Sequence, residues 1–550
     1  MRIKKQQNMT GRVLFTLFII LFSVFIGTGN MLATDYSAEL LKTKQSIKSS
    51  MLMSHIDFLA SWYCRGRATG DIGMEVADQY ITSVLSGIGI TPAGEYGGFF
   101  QNVKVITRTL DKTIRLELAD TTTGINSLSR ARLDWDFLPV SLSAETAVTA
   151  PIIFAGYGIT APEHHYDDYN NINAAGKIVL VMRHEPGEKL ESSPFDGTKI
   201  SAHGTLLQKI LNAQKHGAVG IIFVTDPLNH ENTAVKGGSW MSGTYWPLLS
   251  EESMKDREDF KFMEFSPQMR LAEMDFGIKI PVVLVDGKWA ARILGENHSL
   301  VQIQEQIDKT NRPNSFVLAG KKITMDIFFK TEPVIAHNIV AKLEGSDPEL
   351  KNEVIIIGAH YDHIGKDKRG QVNGGADDNA SGTSVVIEMA RAFKNLPVAP
   401  KRTILFILFT GEEEGLLGSW YYTLHPIYPN AKTIAMFNLD MVGRNDVSQV
   451  SLMGKYQYPK LFQVVEAANK KSVNFEMNFN SEGSLANSDQ FFFMRTGIPS
   501  IYLNSGSHDD YHSPRDTVDR VVPQKVEKIA HLLFLSVWDV ANLPAQTSFK

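Results

Sequence analysis

Two rhythms of apolar residues divide the chain. In MEVADQYITSVLSGIGI, Val76, Ala77, Tyr80, Ile81, Val84 and Leu85 recur at three- and four-residue spacing, and Gly87 and Gly89 stop the run. The stretch from about Asp35 to Ile90 is therefore predicted to be helical. QNVKVITRTL and TIRLELAD alternate apolar and polar positions, the pattern of half-buried strands. From about Ser127 to Pro313 the texture changes to short apolar runs, PIIFAGYGI, GKIVLVMRH, GAVGIIFVTD and IPVVLVD, separated by loops that carry glycine and proline. LLQKILNAQKHG, between two of these runs, has a helical pattern that ends at Gly217.

The last block, about Ile335 to Lys550, alternates strands and helices. NIVAKLEG, EVIIIGAHYD, TILFILFT, TIAMFNLDM and PSIYLN are predicted strands, and SGTSVVIEMARAF, YPKLFQVVEAANK and KVEKIAHLLFLSVWDVANL predicted helices. Strands that are apolar almost throughout, with helices between them, imply a mostly parallel sheet covered on both faces, an α/β architecture. In such sheets the reactive groups gather at the carboxyl ends of the strands.

Composition narrows the partners. The chain has 550 residues, 43% hydrophobic and 21% charged, enough for several domains with sizeable cores. Its net charge is −5 with no basic stripe, which argues against a nucleic-acid partner. Arg2, Lys4, Lys5 and Arg12 precede the apolar run VLFTLFIILFSVFIG, Val13 to Gly27, which has the length of an export signal and is short for a membrane span. Residues 1–33 are expected to be a signal peptide cleaved near Ala33, placing the mature protein in a periplasmic or extracellular space. The alternative is a membrane tether formed by this segment if it stays uncleaved. Cys64 is the only cysteine, so the exported chain folds without an internal disulfide.

The strand ends carry the chemistry. His360 and Asp362 follow EVIIIGA. Asp377 and Asp378 lie in the glycine-rich loop NGGADDNASG. Glu412, Glu413 and Glu414 follow TILFILFT, Asp440 follows TIAMFN, and His508 and His512 follow PSIYLN. Adjacent carboxylates beside an apolar strand repel and lose hydration, and bound cations would offset both effects. Imidazoles with several carboxylates and no cysteine suit zinc or another divalent first-row metal. So many acids for two imidazoles suggests two ions sharing a bridging carboxylate.

GAHYDHIG, GGADDNASG, GEEEGLLGS, NLDMVG and DYHSPRDT, in this order, resemble the M28 family of di-zinc peptidases. LASWYCRGRATGDIGMEVADQYI is a further match, and IFAGYGITAPEHHYDDY with GKIVLVMRHEPGE resembles the protease-associated (PA) domain inserted in some members. The resemblance implies a zinc-exopeptidase fold, a mostly parallel mixed sheet flanked by helices, with an inserted β-rich α/β PA domain. The expected domains are an N-terminal part of the peptidase domain at 34–126, the PA domain at 127–313 and the catalytic domain at 314–550. By position, the resemblance implies one zinc on His360 and Asp440, a second on Glu413 and His512, and Asp377 bridging both through a loop whose following peptide bond is often cis. Glu412 is the implied general base, Asp362 orients His360, and Tyr511 donates to the tetrahedral oxyanion. Glu414 is expected to be solvated, His363 a neighbour rather than a ligand, and Asp378 and Asp516 loop-bracing acids.

The implied activity is an exported aminopeptidase acting on peptides. A carboxypeptidase of the glutamate-releasing type is the runner-up; it would need a cationic pocket, for which Arg369, Arg444, Arg495 and Arg515 are available. A glutaminyl cyclase-like acyltransferase uses a related fold with one zinc. The transferrin-receptor branch keeps the architecture without the ligands.

Overall fold

The computed structural model describes residues 36–550 apart from 112, 123, 125, 134, 141, 199–200, 231–267, 368, 480–486, 546–547 and 550. The expected signal peptide at 1–33 lies outside the described residues.

The C-terminal block builds a nine-stranded mixed sheet. Its main path runs Thr91–Pro92, His337–Leu343, Thr403–Phe409, Val354–His360, Thr433–Leu439, Ser500–Asn504, Gln449–Met453 and Glu476–Asn478, and Phe100–Asn102 also pairs with His337–Leu343. Val354–His360 pairs in parallel with both Thr403–Phe409 and Thr433–Leu439, and the latter pairs in parallel with Ser500–Asn504. The central strands are buried on both faces because their residues alternate between two apolar layers. Ile355, Ile357, Phe406 and Leu408 pack with the helices Ser49–Leu59, Ile72–Ile88, Gly382–Lys394 and Pro523–Asn542, whereas Val354, Ile356, Leu405 and Ile407 pack with Tyr422, Phe493 and Ile498. Register aligns the strand ends: His360 stands opposite Phe409, so the loops at Tyr361 and Thr410 leave the sheet side by side.

The helical expectation for the N-terminal stretch resolves into Ala38–Gln45, Ser49–Leu59, a short 3₁₀ turn at Trp62–Cys64, and Ile72–Ile88. The break between the last two lies where Arg65, Gly66 and Arg67 all adopt positive φ. Arg67 then enters the core beneath this sheet fully buried and donates to the carbonyls of Tyr361 at 2.8 Å, Gly374 at 2.8 Å and Gly375 at 2.9 Å, as well as to Leu59. One guanidinium thus ties the N-terminal helices to both ends of the loop that leaves Val354–His360. Cys64 is a free, buried member of the same core.

The inserted unit has its own eight-stranded sheet, in the order Ser127–Arg130, Arg115–Asp120, Ser315–Ile327, Thr146–Ala155, Ile178–Met182, Gly220–Val224, Val282–Val285 and Phe137–Pro139. This sheet reaches past the expected 127–313 limits on both sides. Arg115–Asp120 and Ser315–Ile327 pair with each other and cover an edge that a unit cut at 127 and 313 would leave open. A three-stranded sheet of Val105–Leu110, Gln268–Leu271 and Phe329–Val334 joins the two bodies. Val105, Leu271 and Ala336 there pack against Leu417 and Tyr421 of the helix that follows the glutamates. Among the described residues no helix is long and apolar enough to cross a membrane.

Candidate metal centre

The ends of four strands converge on one buried cluster. His360 ends its strand with its side chain buried, and its Nε2 lies 3.2 Å from Asp440 Oδ1 and 3.4 Å from Asp378 Oδ1. The other oxygen of Asp378, Oδ2, lies 3.2 Å from His512 Nε2 and 3.7 Å from His363 Nδ1. Glu413 completes this second group, with Oε2 at 2.9 Å from His512 Nε2 and Oε1 at 2.8 Å from His363 Nδ1. Two donor sets, His360–Asp378–Asp440 and His363–Asp378–Glu413–His512, therefore share one carboxylate.

The shared residue is not the expected one. Asp377 is buried but serves the loop: its Oδ1 accepts from the Gly443 amide at 2.6 Å, and its Oδ2 lies 3.2 Å from His508 Nε2. Asp378 and Asn379 depart from helical geometry within the irregular turn Ala376–Ser381, with φ/ψ of −105°/95° and −128°/42°. The departure begins at Asp378 and leaves Asp377 in the helical part of the turn, and the two carboxylates reach different partners. The cis peptide bond is correspondingly Asp378–Asn379, one residue later than expected. Of the two acids expected to brace the loop, only Asp516 does so, accepting from the amides of Asp377 and Asp378.

The remaining expected residues fall as follows. Asp362 is fully buried, its Oδ1 is 3.7 Å from His360 Nδ1, and its carboxylate accepts from the backbone amides of Glu412 and Glu413 at 3.2 and 3.3 Å. Glu412 is 8% exposed beside the cluster. Burial holds its carboxyl well above the usual range, with Asp440, Glu413 and Asp489 adding to the effect and His360 opposing it. Glu413 goes the other way: burial raises its pKa, but His512 and hydrogen bonds from His363 and His512 outweigh it and hold the carboxylate well below the usual range. Adjacent glutamates are thus driven apart, one toward holding a proton and one toward anionic binding. Tyr511 stacks on His512 with ring centroids 3.8 Å apart and an interplanar angle of 20°.

Sequence reasoning misread or missed four residues. His363 belongs to the second donor set, and Asp378 to both. Glu414 is half-buried rather than solvated, and burial, with Asp362 and Glu413, pushes its carboxyl up to about 8. Asp489, at the start of the Gln490–Arg495 helix, is fully buried, and burial pushes it up to about 7 against the pull of His360. It lies outside the strand-end rule, and the only signal for it was a lone acid ahead of three phenylalanines.

The donor chemistry fits divalent cations. Asp378 Oδ2 and His512 Nε2 are buried yet lack hydrogen bonds among the described residues, and imidazole nitrogens with carboxylate oxygens are a usual set for zinc-class ions. Burial lowers the proton affinity of His512, but Glu413 and Asp378 overturn this and raise its pKa to about 9, the mark of a site that attracts positive charge.

Residues 338–537 match the model of Peptidase family M28, and residues 148–247 match the PA domain. Residues 338–537 thus carry a domain of Peptidase family M28, with a PA domain ahead of it. The chain is similar to Aminopeptidase YwaD of Bacillus subtilis, 30% identical over 202 residues that make up 34% of this chain and 42% of that protein. A probable zinc metalloprotease of Pyrenophora tritici-repentis is 44% identical over 119 residues, 20% of this chain and 26% of that protein. The chain therefore spans less than half the length of these curated relatives. The aminopeptidase structure from Aneurinibacillus sp. strain AM-1 has the same fold, with a TM-score of 0.55 at 19% identity, covering 92% of this chain and 97% of that one.

Proposed function

We propose that the chain is an exported, zinc-dependent aminopeptidase that removes N-terminal residues from peptides. The observation that carries this reading is Asp378, whose two oxygens face His360 and His512 and so join two donor sets. One zinc would be held by His360, Asp440 and Asp378, the other by Glu413, His512 and Asp378, with His363 against Glu413. Bound there, the ions supply Lewis acidity toward the scissile carbonyl and the attacking water.

The chain's own residues move the proton. Glu412 takes it from the water as the oxygen bonds to the carbonyl carbon, and returns it to the amine nitrogen as the C–N bond breaks. Its raised proton affinity suits this role. Asp362 fixes both the His360 ring and the backbone that presents Glu412 and Glu413. Tyr511, lying against His512, is assigned the hydroxyl that donates to the developing oxyanion.

Two features favour this reading over its rivals. A carboxypeptidase for acidic residues needs cations free to meet a carboxylate, yet Arg444 and Arg515 are both paired with Asp510, at 2.6 and 3.0 Å, and Arg369 and Arg495 are exposed. A single-ion cyclase has no use for the second donor set. Export is supported by the basic start and the apolar run Val13 to Gly27.

The test is a panel of aminoacyl-anilides, their N-acetylated counterparts, peptides with acidic C-termini and a peptide with N-terminal glutamine. Hydrolysis of free-amine anilides alone, abolished by a chelator and restored by zinc, is expected. Release of C-terminal residues or cyclisation of glutamine would overturn the assignment.

A further inference from the structure

A second imidazole–carboxylate cluster lies in the inserted unit, apart from the peptidase residues. Ile178–Met182 and Gly220–Val224 are neighbouring parallel strands in register, with Met182 opposite Val224. Two residues past each strand comes a buried side chain, His184 after the first and Asp226 after the second; four residues further on come Glu188 and His230. Two loops of matched length thus deliver one histidine and one acid each to the same place. All four donor atoms lie within 4.8 Å of one another.

The contacts are hard to satisfy with protons alone. His184 Nδ1 meets Asp226 Oδ1 within hydrogen-bond distance and Glu188 Oε2 at 3.5 Å, while His230 Nε2 lies 2.6 Å from Glu188 Oε1 and 3.9 Å from Asp226 Oδ2. Each of these nitrogens has at most one proton to give. Asp226 is 0% exposed and among the described residues its Oδ2 makes no hydrogen bond; the buried Oε2 of Glu188 likewise makes none there. An unpaired buried carboxylate oxygen is costly. Protonating both imidazoles would not mend this, because the rings stack with centroids 3.9 Å apart at 27° and two stacked imidazolium ions repel. The neighbouring ammonium of Lys209 does not neutralise the acids by contact, since it donates to the backbone carbonyls of Met182 and His184. One divalent cation would neutralise both carboxylates and leave both rings uncharged.

We propose that His184, Glu188, Asp226 and His230 form a metal site in the inserted unit, separate from the peptidase centre, for a divalent first-row ion of the zinc class. Two imidazole nitrogens and two carboxylate oxygens suit such an ion in tetrahedral geometry and disfavour calcium or magnesium, which take oxygen donors. Bound there, the ion clamps the carboxyl ends of two central strands of the inserted sheet.

The test uses the full mature chain and zinc itself. Zinc per chain is measured by elemental analysis after dialysis, for the wild type and for a Glu188→Gln/His230→Gln double variant. The variant is expected to lose one equivalent relative to wild type and to keep wild-type kcat on an aminoacyl-anilide. This difference does not depend on how many ions the peptidase centre holds, and an Asp378→Asn variant, emptied at that centre, is expected to retain the same equivalent. Anomalous scattering at the zinc edge from wild-type crystals gives a reading that needs no variant to fold, with a peak expected between His184 Nδ1 and His230 Nε2. Equal zinc content in wild type and double variant, or no peak at this position with zinc in molar excess, would overturn the proposal.

Discussion

Asp377 and Asp378 are neighbours in the chain but serve different partners. Asp377 accepts from the Gly443 amide at 2.6 Å, whereas Asp378 reaches His360 with one oxygen and His512 with the other, at 3.4 and 3.2 Å. Asp378→Asn should therefore remove zinc from both positions of the peptidase centre and abolish turnover. Asp377→Asn should act on the loop first, lowering Tm, with zinc restored by adding excess metal. Zinc content of the two variants at matched free zinc checks this. The assignment of the shared carboxylate fails if Asp377→Asn is the variant that cannot be refilled.

Asp362 touches His360 and the backbone of both working glutamates at once. Its loss should loosen three groups together, since carboxylates behind ligating histidines typically contribute about ten- to a hundredfold in metal affinity or activity. Asp362→Asn keeps one acceptor and removes the charge. We expect faster zinc loss to a chelator and a fall in kcat with KM little changed. A rise in KM alone would place Asp362 in substrate binding instead.

The sheet was legible because its central strands are apolar on both faces, and the strand-end rule led to His360, Glu412, Glu413, Asp440 and the pair His508 and His512, between which only the family resemblance of DYHSPRDT chose His512. The choice between Asp377 and Asp378 was not legible. Two identical side chains in sequence are told apart only by the backbone dihedrals of the Ala376–Ser381 turn, which no periodicity reports. His363 was expected to be a neighbour rather than a ligand; it lies beyond the strand, which ends at His360, so strand alternation does not report which way its side chain faces. The inserted unit's limits slipped outward because Arg115–Asp120 and Ser315–Ile327 find their partners only across about two hundred residues of chain.

Lys525 gives a pH dependence away from the ligands. It is fully buried in the C-terminal helix Pro523–Asn542, and its ammonium donates to the Asp446 carbonyl at 2.9 Å. Burial lowers its pKa from 10.5 to about 8, against the pull of Asp377 and Asp446. A lysine with a depressed folded pKa binds its proton more weakly in the native state than in the unfolded one. Its contribution thus favours folding above pH 10.5 and is lost as pH falls from there to about 8. Lys525→Met removes this term, so the stability difference between variant and wild type should change by on the order of 1–2 kcal/mol across that window. Urea melts at several pH values measure it, and parallel curves would refute the buried-ammonium account.

The three glutamates of GEEEG separate into three roles that substitution can distinguish. In the proposed mechanism Glu412, buried and with raised proton affinity, carries the proton, and Glu413, with lowered proton affinity, binds cation. Glu412→Gln keeps the shape and removes the base, so zinc content should stay intact while kcat falls by roughly a hundred- to ten-thousand-fold. Glu413→Gln exchanges an anionic ligand for a neutral amide, so it should weaken one zinc and regain part of its rate when metal is added. Glu414 is half-buried with its carboxyl pushed up to about 8, so at neutral pH it is largely protonated. Glutamine imitates that neutral form, and Glu414→Gln should leave both zinc content and rate close to wild type. Zinc analysis beside steady-state kinetics on the three variants decides the register. Metal loss on Glu412→Gln, with pure rate loss on Glu413→Gln, would exchange the two roles.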